Sequence, residues 1–289
     1  MQNRNIQLLK VNIFQRIYLL SYGNGKCFIM KEALTEEQCR LLQHEAFLLS
    51  YLTDKYSFAN CPKLIYTNNK NTIIESCVTG VELDSLTLDK NNSFFIMQSI
   101  LENIVSFQGV NIEGIKNECP QLVWRNYLFD RLRAYEDKIQ NITDFNVNIF
   151  KPVIEFEYRI FDETIKNPPM VLLHNDLNAS NILYNNENGL VSFIDFERWI
   201  IGDPIKEYSK LIWLLRKNKY MRRAFFDLKR NFLLDNDESM LLKAYFYFDI
   251  LYHFSLFDRI KNMGNWPQFF AEEFLIVKNF NDNGLWRTE

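Results

Sequence analysis

Two hydrophobic rhythms divide the chain. Gln15 to Tyr22 (QRIYLLSY) and Lys26 to Ala33 (KCFIMKEA) are strand-length apolar runs around Gly23-Asn24-Gly25, which predicts a β-hairpin. Thr35-Glu36-Glu37-Gln38 has capping-box spacing and opens a helix with Leu41, Leu42, Leu48, Leu49 and Leu52 at helical intervals. Short strands follow at Lys63 to Tyr66 and Thr72 to Cys77, across the turn Asn68 to Asn71. After Gly80 the helical period takes over, with helices expected over 92–108, 120–140, 150–166, 204–217, 219–233, 238–262 and 267–279. One strand-like island interrupts them. Val171-Leu172-Leu173 follows Pro168-Pro169, and Asn181 to Tyr184 and Leu190 to Ile194 flank the turn Asn185 to Gly189. The pattern predicts an α+β chain: a small β-rich N-terminal lobe with one helix over 1–78, and a larger, mainly helical lobe over 79–289 that carries a hairpin.

Composition narrows the class. At 289 residues, 47% hydrophobic and 24% charged, the chain can bury a core without staples, which excludes disorder and a coiled coil. Lys+Arg 33 against Asp+Glu 36 leaves a net charge of −3, so no nucleic-acid partner is expected. Apolar runs such as Leu211 to Leu215 are too short to span a bilayer, so no membrane partner is expected. The first residues lead into no uninterrupted apolar stretch, so no secretory signal is expected. Cys27, Cys39, Cys61, Cys77 and Cys119 form no CxxC pair, which fits reduced thiols in a cytoplasm better than zinc or disulfides. The abundant Phe, Tyr and Trp read first as core filling.

The chemistry concentrates in Leu172 to Leu211, which holds HxDxxxxN as His174, Asp176 and Asn181. The hairpin that starts at Asn181 brings Asp195, in Ile194-Asp195-Phe196-Glu197, back beside it. Two carboxylates and an amide then converge, and no nearby Lys or Arg is expected to neutralise them. Such a set of oxygens suits Mg²⁺, which keeps substrate phosphates as further ligands.

HNDLNASNIL, then a hairpin, IDFE and GDPIKEYSK, resembles the core of the aminoglycoside phosphotransferase and choline kinase family, relatives of the protein kinases. Most of residues 10–215 share the likeness. It implies a bilobal protein-kinase-like fold whose C-terminal lobe carries a catalytic β-hairpin. It also implies Asp176 as the base that takes the acceptor hydroxyl proton, with Asn181 and Asp195 as ligands of Mg²⁺. His174 would pack the loop, and Asp203 would be the buried carboxylate that holds the loop backbone. Glu197 is as readily a supporting carboxylate as a direct participant.

A lysine on a strand and a glutamate on the next helix can be sought independently. Lys31 shares a strand face with Ile29 and Cys27, and Glu45 stands in the middle of the apolar stripe of the capped helix. A carboxylate there needs a cation, and Lys31 is its natural partner; the resemblance implies that the pair binds nucleotide and orients its phosphates. Glu75-Ser76-Cys77-Val78 falls where the family joins its lobes, which implies that adenine hydrogen-bonds to backbone there, at Glu75 and Cys77.

Three features depart from the family pattern. Lys10 to Gln15, where a phosphate-covering loop is expected, lacks glycine. Asn175, Asn178 and Ser180 replace Gly, His and Gly, and Asn tolerates left-handed backbone. Glu207 stands where the family has Asp.

The implied function is Mg²⁺-dependent transfer of the terminal phosphate of ATP or GTP to a small-molecule hydroxyl on an aminoglycoside-, choline- or sugar-like acceptor. The alternative is a pseudokinase-like module that holds nucleotide or a partner without turnover. A protein kinase is disfavoured, because HND replaces HRD and no APE-bounded segment follows Asp195. Residues 205–230 carry nine basic side chains against Glu207 and Asp227, whereas 233–289 carry nine acidic against five basic. If those last helices build the acceptor pocket, as in the family, their aromatics and carboxylates favour a cationic acceptor.

Overall fold

The β-branched and aromatic runs near the N-terminus build an antiparallel sheet of five strands. In the computed structural model, which describes residues 4–56, 60–118, 123–165, 168–229, 236–264 and 266–280, these are β1 (Arg4–Val11), β2 (Gln15–Tyr22), β3 (Cys27–Ala33), β4 (Leu64–Thr67) and β5 (Thr72–Ser76). Their order is β1-β2-β3-β5-β4. β1 lies outside the sequence expectation. It is an edge strand with Ile6 and Leu8 in solvent, so its apolar residues mark no buried face.

Helix α1 (Glu36–Lys55) starts where the capping box places it, with Thr35 Oγ1 accepting from Gln38 N at 3.2 Å. Leu42 and Ala46 pack with Ala33 and Ile73 under the sheet. Leu48, Leu49 and Leu52 belong instead to the large core shared with the helices. Each buried leucine contributes roughly 1.5–3 kcal/mol, so α1 is anchored in both cores.

The remainder is mostly helical: α2 (Ser93–Gln108), α3 (Trp124–Gln140), α4 (Lys151–Thr164), α5 (Pro204–Tyr208), α6 (Leu211–Lys217), α7 (Lys219–Lys229), α8 (Asn236–Phe254), α9 (Phe257–Ile260) and α10 (Trp266–Lys278). The single helix expected over 204–217 is two, broken at Ser209-Lys210, because Ser209 turns its hydroxyl onto Asp249. The helix expected over 238–262 is likewise divided, with α8 ending at Phe254 and α9 following separately. The ends expected at 120–122 and 230–233, and Cys119, lie outside the described residues. The central helix is α8, whose Tyr245, Phe246, Ile250, Leu251 and Phe254 are fully buried against its neighbours. Being apolar nearly all round, it is a core helix.

Three short strands, β7 (Val171–Leu173), β8 (Ile182–Tyr184) and β9 (Val191–Phe193), form the expected island. Two more complete it. β6 (Val81–Glu82) pairs with β8, and β10 (Ile200–Gly202) pairs with β7. Gly80 permits the first pairing, since a Cβ there would lie 3.0 Å from Leu183 Cβ and 3.2 Å from the Tyr184 carbonyl carbon. Gly202 permits the approach of Trp124, whose ring would be 2.6 Å from a Cβ.

Candidate active site

His174 to Asn181 connect β7 to β8, and the β8–β9 hairpin returns the chain so that Ile194 N donates to Asn181 O at 3.0 Å. Asp195 therefore arrives beside Asn181, as the spacing predicts. His174 is fully buried and stitches the loop closed. Its Nδ1 accepts from Asp176 N at 3.3 Å and its Nε2 donates to Ile194 O at 2.9 Å. Burial holds it below the ordinary imidazole range, so it is neutral, in the tautomer those bonds require. Asn181 Nδ2 donates to Asp176 O at 2.9 Å, which leaves the amide oxygen for a ligand. Asn175 and Asp195 have φ of 63° and 66°. Asn at 175 can supply the left-handed turn that glycine supplies in the family, whereas Asp195 is a strained position held by its surroundings.

The carboxylate that grips the loop backbone is Glu207, not Asp203. Glu207 Oε2 accepts from His174 N at 2.6 Å and Oε1 accepts from Asn175 N at 3.1 Å. Burial pushes Glu207 up to about 7, against the pull of these two N–H groups. Asp203 instead caps α5, accepting from Ile205 N at 2.8 Å, and takes the Tyr245 hydroxyl at 3.0 Å. The extra methylene of Glu207 gives it the longer reach from α5, so the usual aspartate is not needed.

Lys31 and Glu45 meet as the apolar stripe predicts. Lys31 Nζ donates to Glu45 Oε1 and Oε2 at 2.7 and 2.9 Å, with Glu45 fully buried. Glu45 Oε1 also accepts from Phe196 N at 2.9 Å, so α1 clamps the residue after Asp195. Two more bonds repeat that link: Gln38 Nε2 donates to Glu197 Oε1 at 2.7 Å, and Trp199 Nε1 donates to His44 O at 2.9 Å.

The acidic residues are not without cations. Lys31 Nζ lies 3.3 Å from Asp195 Oδ1, and Arg198 Nε lies 3.9 Å from Asp176 Oδ2. Burial pulls Lys31 down, but Glu45, Glu75, Asp195 and Glu197 outweigh it and hold the ammonium above its ordinary range. Burial opposes ionisation of Asp195 too, but Lys31 keeps its carboxyl low.

Glu75 has a side-chain partner that its segment did not announce. Its side chain faces back into this cluster, with Oε1 3.5 Å from Lys31 Nζ and Oε2 buried without a partner among the described residues. Burial pushes it up to about 8 despite the lysine. Period-2 alternation decides this, because Ile73 and Glu75 share the inward face of β5. Cys77 N donates to Cys27 O at 3.4 Å, so its N–H is turned onto β3 and not towards a base. The glycine-free turn between β1 and β2 is closed by Asn12, whose Oδ1 accepts from Phe14 N and Gln15 N, both at 2.8 Å.

The donor set fits a hard cation. The Asn181 amide oxygen and the Asp195 carboxylate are oxygen donors, and oxygens of Glu45, Asp195 and Glu197 lie within 4.8 Å of one another. Glu197 is buried and pushed up to about 7 by that burial, with Asp195 and Glu45 adding to it. Sequence reasoning missed Arg198 as a neighbour of Asp176. The signal in the sequence was its place three residues after Asp195.

Asp176 and Arg198 open onto a cleft of about 950 Å³ whose wall includes Trp213, Phe248, Tyr252 and Lys210. Among the described residues, no helix is long and apolar enough to cross a membrane.

Residues 7–226 match the group described as the Phosphotransferase enzyme family. An uncharacterized kinase-like protein of Caenorhabditis elegans is 34% identical over 113 residues. That match covers 34% of this chain and only 29% of the curated relative's length. Among solved structures, the apo form of a thermostable mutant of aminoglycoside phosphotransferase APH(4)-Ia is similar at TM-score 0.73 and 15% identity, covering 95% of this chain and 94% of that one. The GDP complex of wild-type aminoglycoside 2'-phosphotransferase-IIIa follows at 0.71 and 17%, covering 96% and 93%. Macrolide 2'-phosphotransferase type I has 0.69 and 13%, covering 97% and 93%. At such identities these structures show the fold, which is protein-kinase-like, with an N-terminal antiparallel sheet and a mostly helical remainder.

Proposed function

The chain belongs to the Phosphotransferase enzyme family, and from that premise we propose that it moves the terminal phosphate of ATP or GTP to a hydroxyl of a small molecule, with Mg²⁺. The observation that carries this reading is the buried Lys31–Glu45 pair reaching Asp195, next to a loop that presents Asp176 to a cleft. The nucleotide would lie between residues 1–78 and 79–289, its base beside the segment that starts at Glu75 and runs through Cys77.

Asp176 accepts the proton as the acceptor oxygen bonds to phosphorus and the bond from phosphorus to the bridging oxygen breaks. A general base of this kind contributes roughly 10²–10⁴ in rate. Lys31, fixed by two bonds to Glu45, places a charge that needs no reorganisation beside the phosphates. Asn181 and Asp195 would hold Mg²⁺, which when bound supplies charge neutralisation on the phosphates. His174 and Glu207 hold the loop that carries Asp176. The free thiols of Cys27, Cys39, Cys61 and Cys77 support a reducing, cytoplasmic setting.

The test is Asp176→Asn. Turnover should vanish while nucleotide affinity stays within a few-fold, because the base touches the acceptor and not the nucleotide. Undiminished phosphate transfer or nucleotide hydrolysis in the variant refutes the assignment. A wild-type protein that binds Mg-nucleotide but transfers to no hydroxyl would be the binding module instead.

A further inference from the structure

We propose that the acceptor carries an anionic group, a carboxylate or a phosphate, held by Lys210 and Arg198 while its hydroxyl reaches Asp176. The inference rests on the phosphotransferase reading and reverses the charge preference expected from the last helices. That expectation came from the net negative charge of residues 233–289. Among the described residues of that span, Asp249 is the one carboxylate that lines the cleft. Asp258 faces out and pairs with Lys261 at 3.0 Å.

Asp249 is itself already engaged. It accepts from Lys206 Nζ and from Ser209 Oγ, both at 2.7 Å. Lys210 Nζ lies 3.6 Å from the same carboxylate, beyond hydrogen-bond reach. Two lysines thus share one aspartate, and the second keeps its donors for another partner. Lys210 is only 11% exposed at the side chain, so those donors point into the cleft wall and not into bulk solvent. Burial draws its pKa down, yet Asp249 and Asp176 outweigh that and keep it charged. A buried ammonium that is ion-paired but makes no hydrogen bond to that partner has donors left for a further oxyanion.

Other cations face the same space. Arg198 Nη1 donates to the Tyr252 hydroxyl at 2.8 Å, which aims its guanidinium across the cleft near Asp176. Arg131 lies over the Tyr127 ring at 5.4 Å and also lines the cleft, as does Lys217, which is paired with Glu272 at 3.5 Å. The opposing carboxylates are Asp84, Asp176 and Glu197. Of these, Asp176 is assigned to the hydroxyl and Glu197 is turned onto Gln38. An ammonium-bearing acceptor would meet Arg198 and Lys210, and the cleft carboxylates paired with them, Asp176 and Asp249, are already engaged. An oxyanion would complete both.

The experiment reads binding, not turnover. Quenching of the cleft tryptophans Trp124, Trp199 and Trp213 is titrated in the presence of a non-hydrolysable Mg-nucleotide. The probes are matched triples: phenyllactate, its amide and the corresponding amino alcohol, and gluconate, gluconamide and glucamine. Glucose 6-phosphate against glucose forms the phosphate arm. At least one anion should bind about tenfold more tightly than its neutral and cationic partners. Lys210→Gln should erase that preference, and Lys210→Arg should keep it. The proposal is overturned if an amine binds as tightly as its acid, or if no anion binds below about 10 mM. It is also overturned if Lys210→Gln leaves the preference intact. In a parallel turnover assay with Mg-ATP or Mg-GTP, anion preference in binding without any phosphate transfer would sink the phosphotransferase reading alone, whereas preferred transfer to the amines would sink this one alone.

Discussion

Replacing Glu207 by Gln tests which carboxylate holds the catalytic loop. Glu207 is almost wholly buried, at 1% exposure, and accepts from the backbone N–H groups of His174 and Asn175. A glutamine keeps the shape but only one acceptor oxygen, so one N–H meets an NH₂ group. A hydrogen bond to a charged group contributes roughly 1.5–3 kcal/mol, and an orphaned buried donor costs roughly 1–3 kcal/mol. The expected loss is about 2–4 kcal/mol at pH 8, where the carboxyl, pushed up to about 7, is mostly ionised. For a domain of this size that lowers Tm by about 5–12 °C. Asn175 sits at φ 63° immediately before Asp176, so relaxation of the loop displaces the base. A misplacement of about 1 Å costs on the order of 100-fold in kcat. The control is Asp203→Asn, whose Oδ1 can still cap α5 while its Nδ2 donates to the Tyr245 hydroxyl oxygen, and which should leave kcat within a few-fold. Thermal unfolding and steady-state kinetics on both variants decide. If Asp203→Asn loses as much kcat as Glu207→Gln, the reasoning is wrong.

Asp195→Ala should abolish the Mg²⁺ dependence of nucleotide binding, read by titration with and without metal; an unchanged metal effect would leave Asp195 a purely structural partner of Lys31. Lys31→Ala and Glu45→Ala should each cut kcat/KM by on the order of 10²-fold or more, and the double variant should lose clearly less than the product, because the two act as one unit; multiplicative losses would break that pairing. Glu75→Gln addresses pH. A carboxyl raised to about 8 in the folded chain keeps a proton that the unfolded chain releases near its ordinary value of about 4.3. Its stabilising contribution is therefore full below that value and is lost as pH rises towards 8, with a slope of at most about 1.4 kcal/mol per pH unit. Chemical denaturation from pH 5 to 8 should show a steeper decline in the wild type than in Glu75→Gln, and parallel profiles would place the titration elsewhere.

Much of this protein follows from local pattern alone. The HxDxxxxN spacing, the hairpin turn and the capping box are each written within about twenty residues, and backbone geometry forces their outcome. A hairpin has to bring Asp195 back to Asn181, and a carboxylate in an apolar stripe has to find a cation, so Lys31–Glu45 was legible before any coordinates. Where a residue's partner is set by reach or by which way a strand faces, the sequence leaves the choice open. Asp203 caps a five-residue helix and Glu207 stands about one turn further along it, and only the position of that helix under the loop decides that Glu207 takes the two N–H groups. Glu75 and Cys77 sit in the expected segment, but β5 pairing turns one carboxylate inward and spends one N–H on Cys27. The cleft's charge is the furthest from the sequence. It depends on which of many ionisable side chains on α3, α5, α6 and α8 converge, and net charge summed along a segment does not record direction. Asp249 meets Lys206 across 43 positions of chain because two helices pack there, and packing of that kind is a property of the whole core.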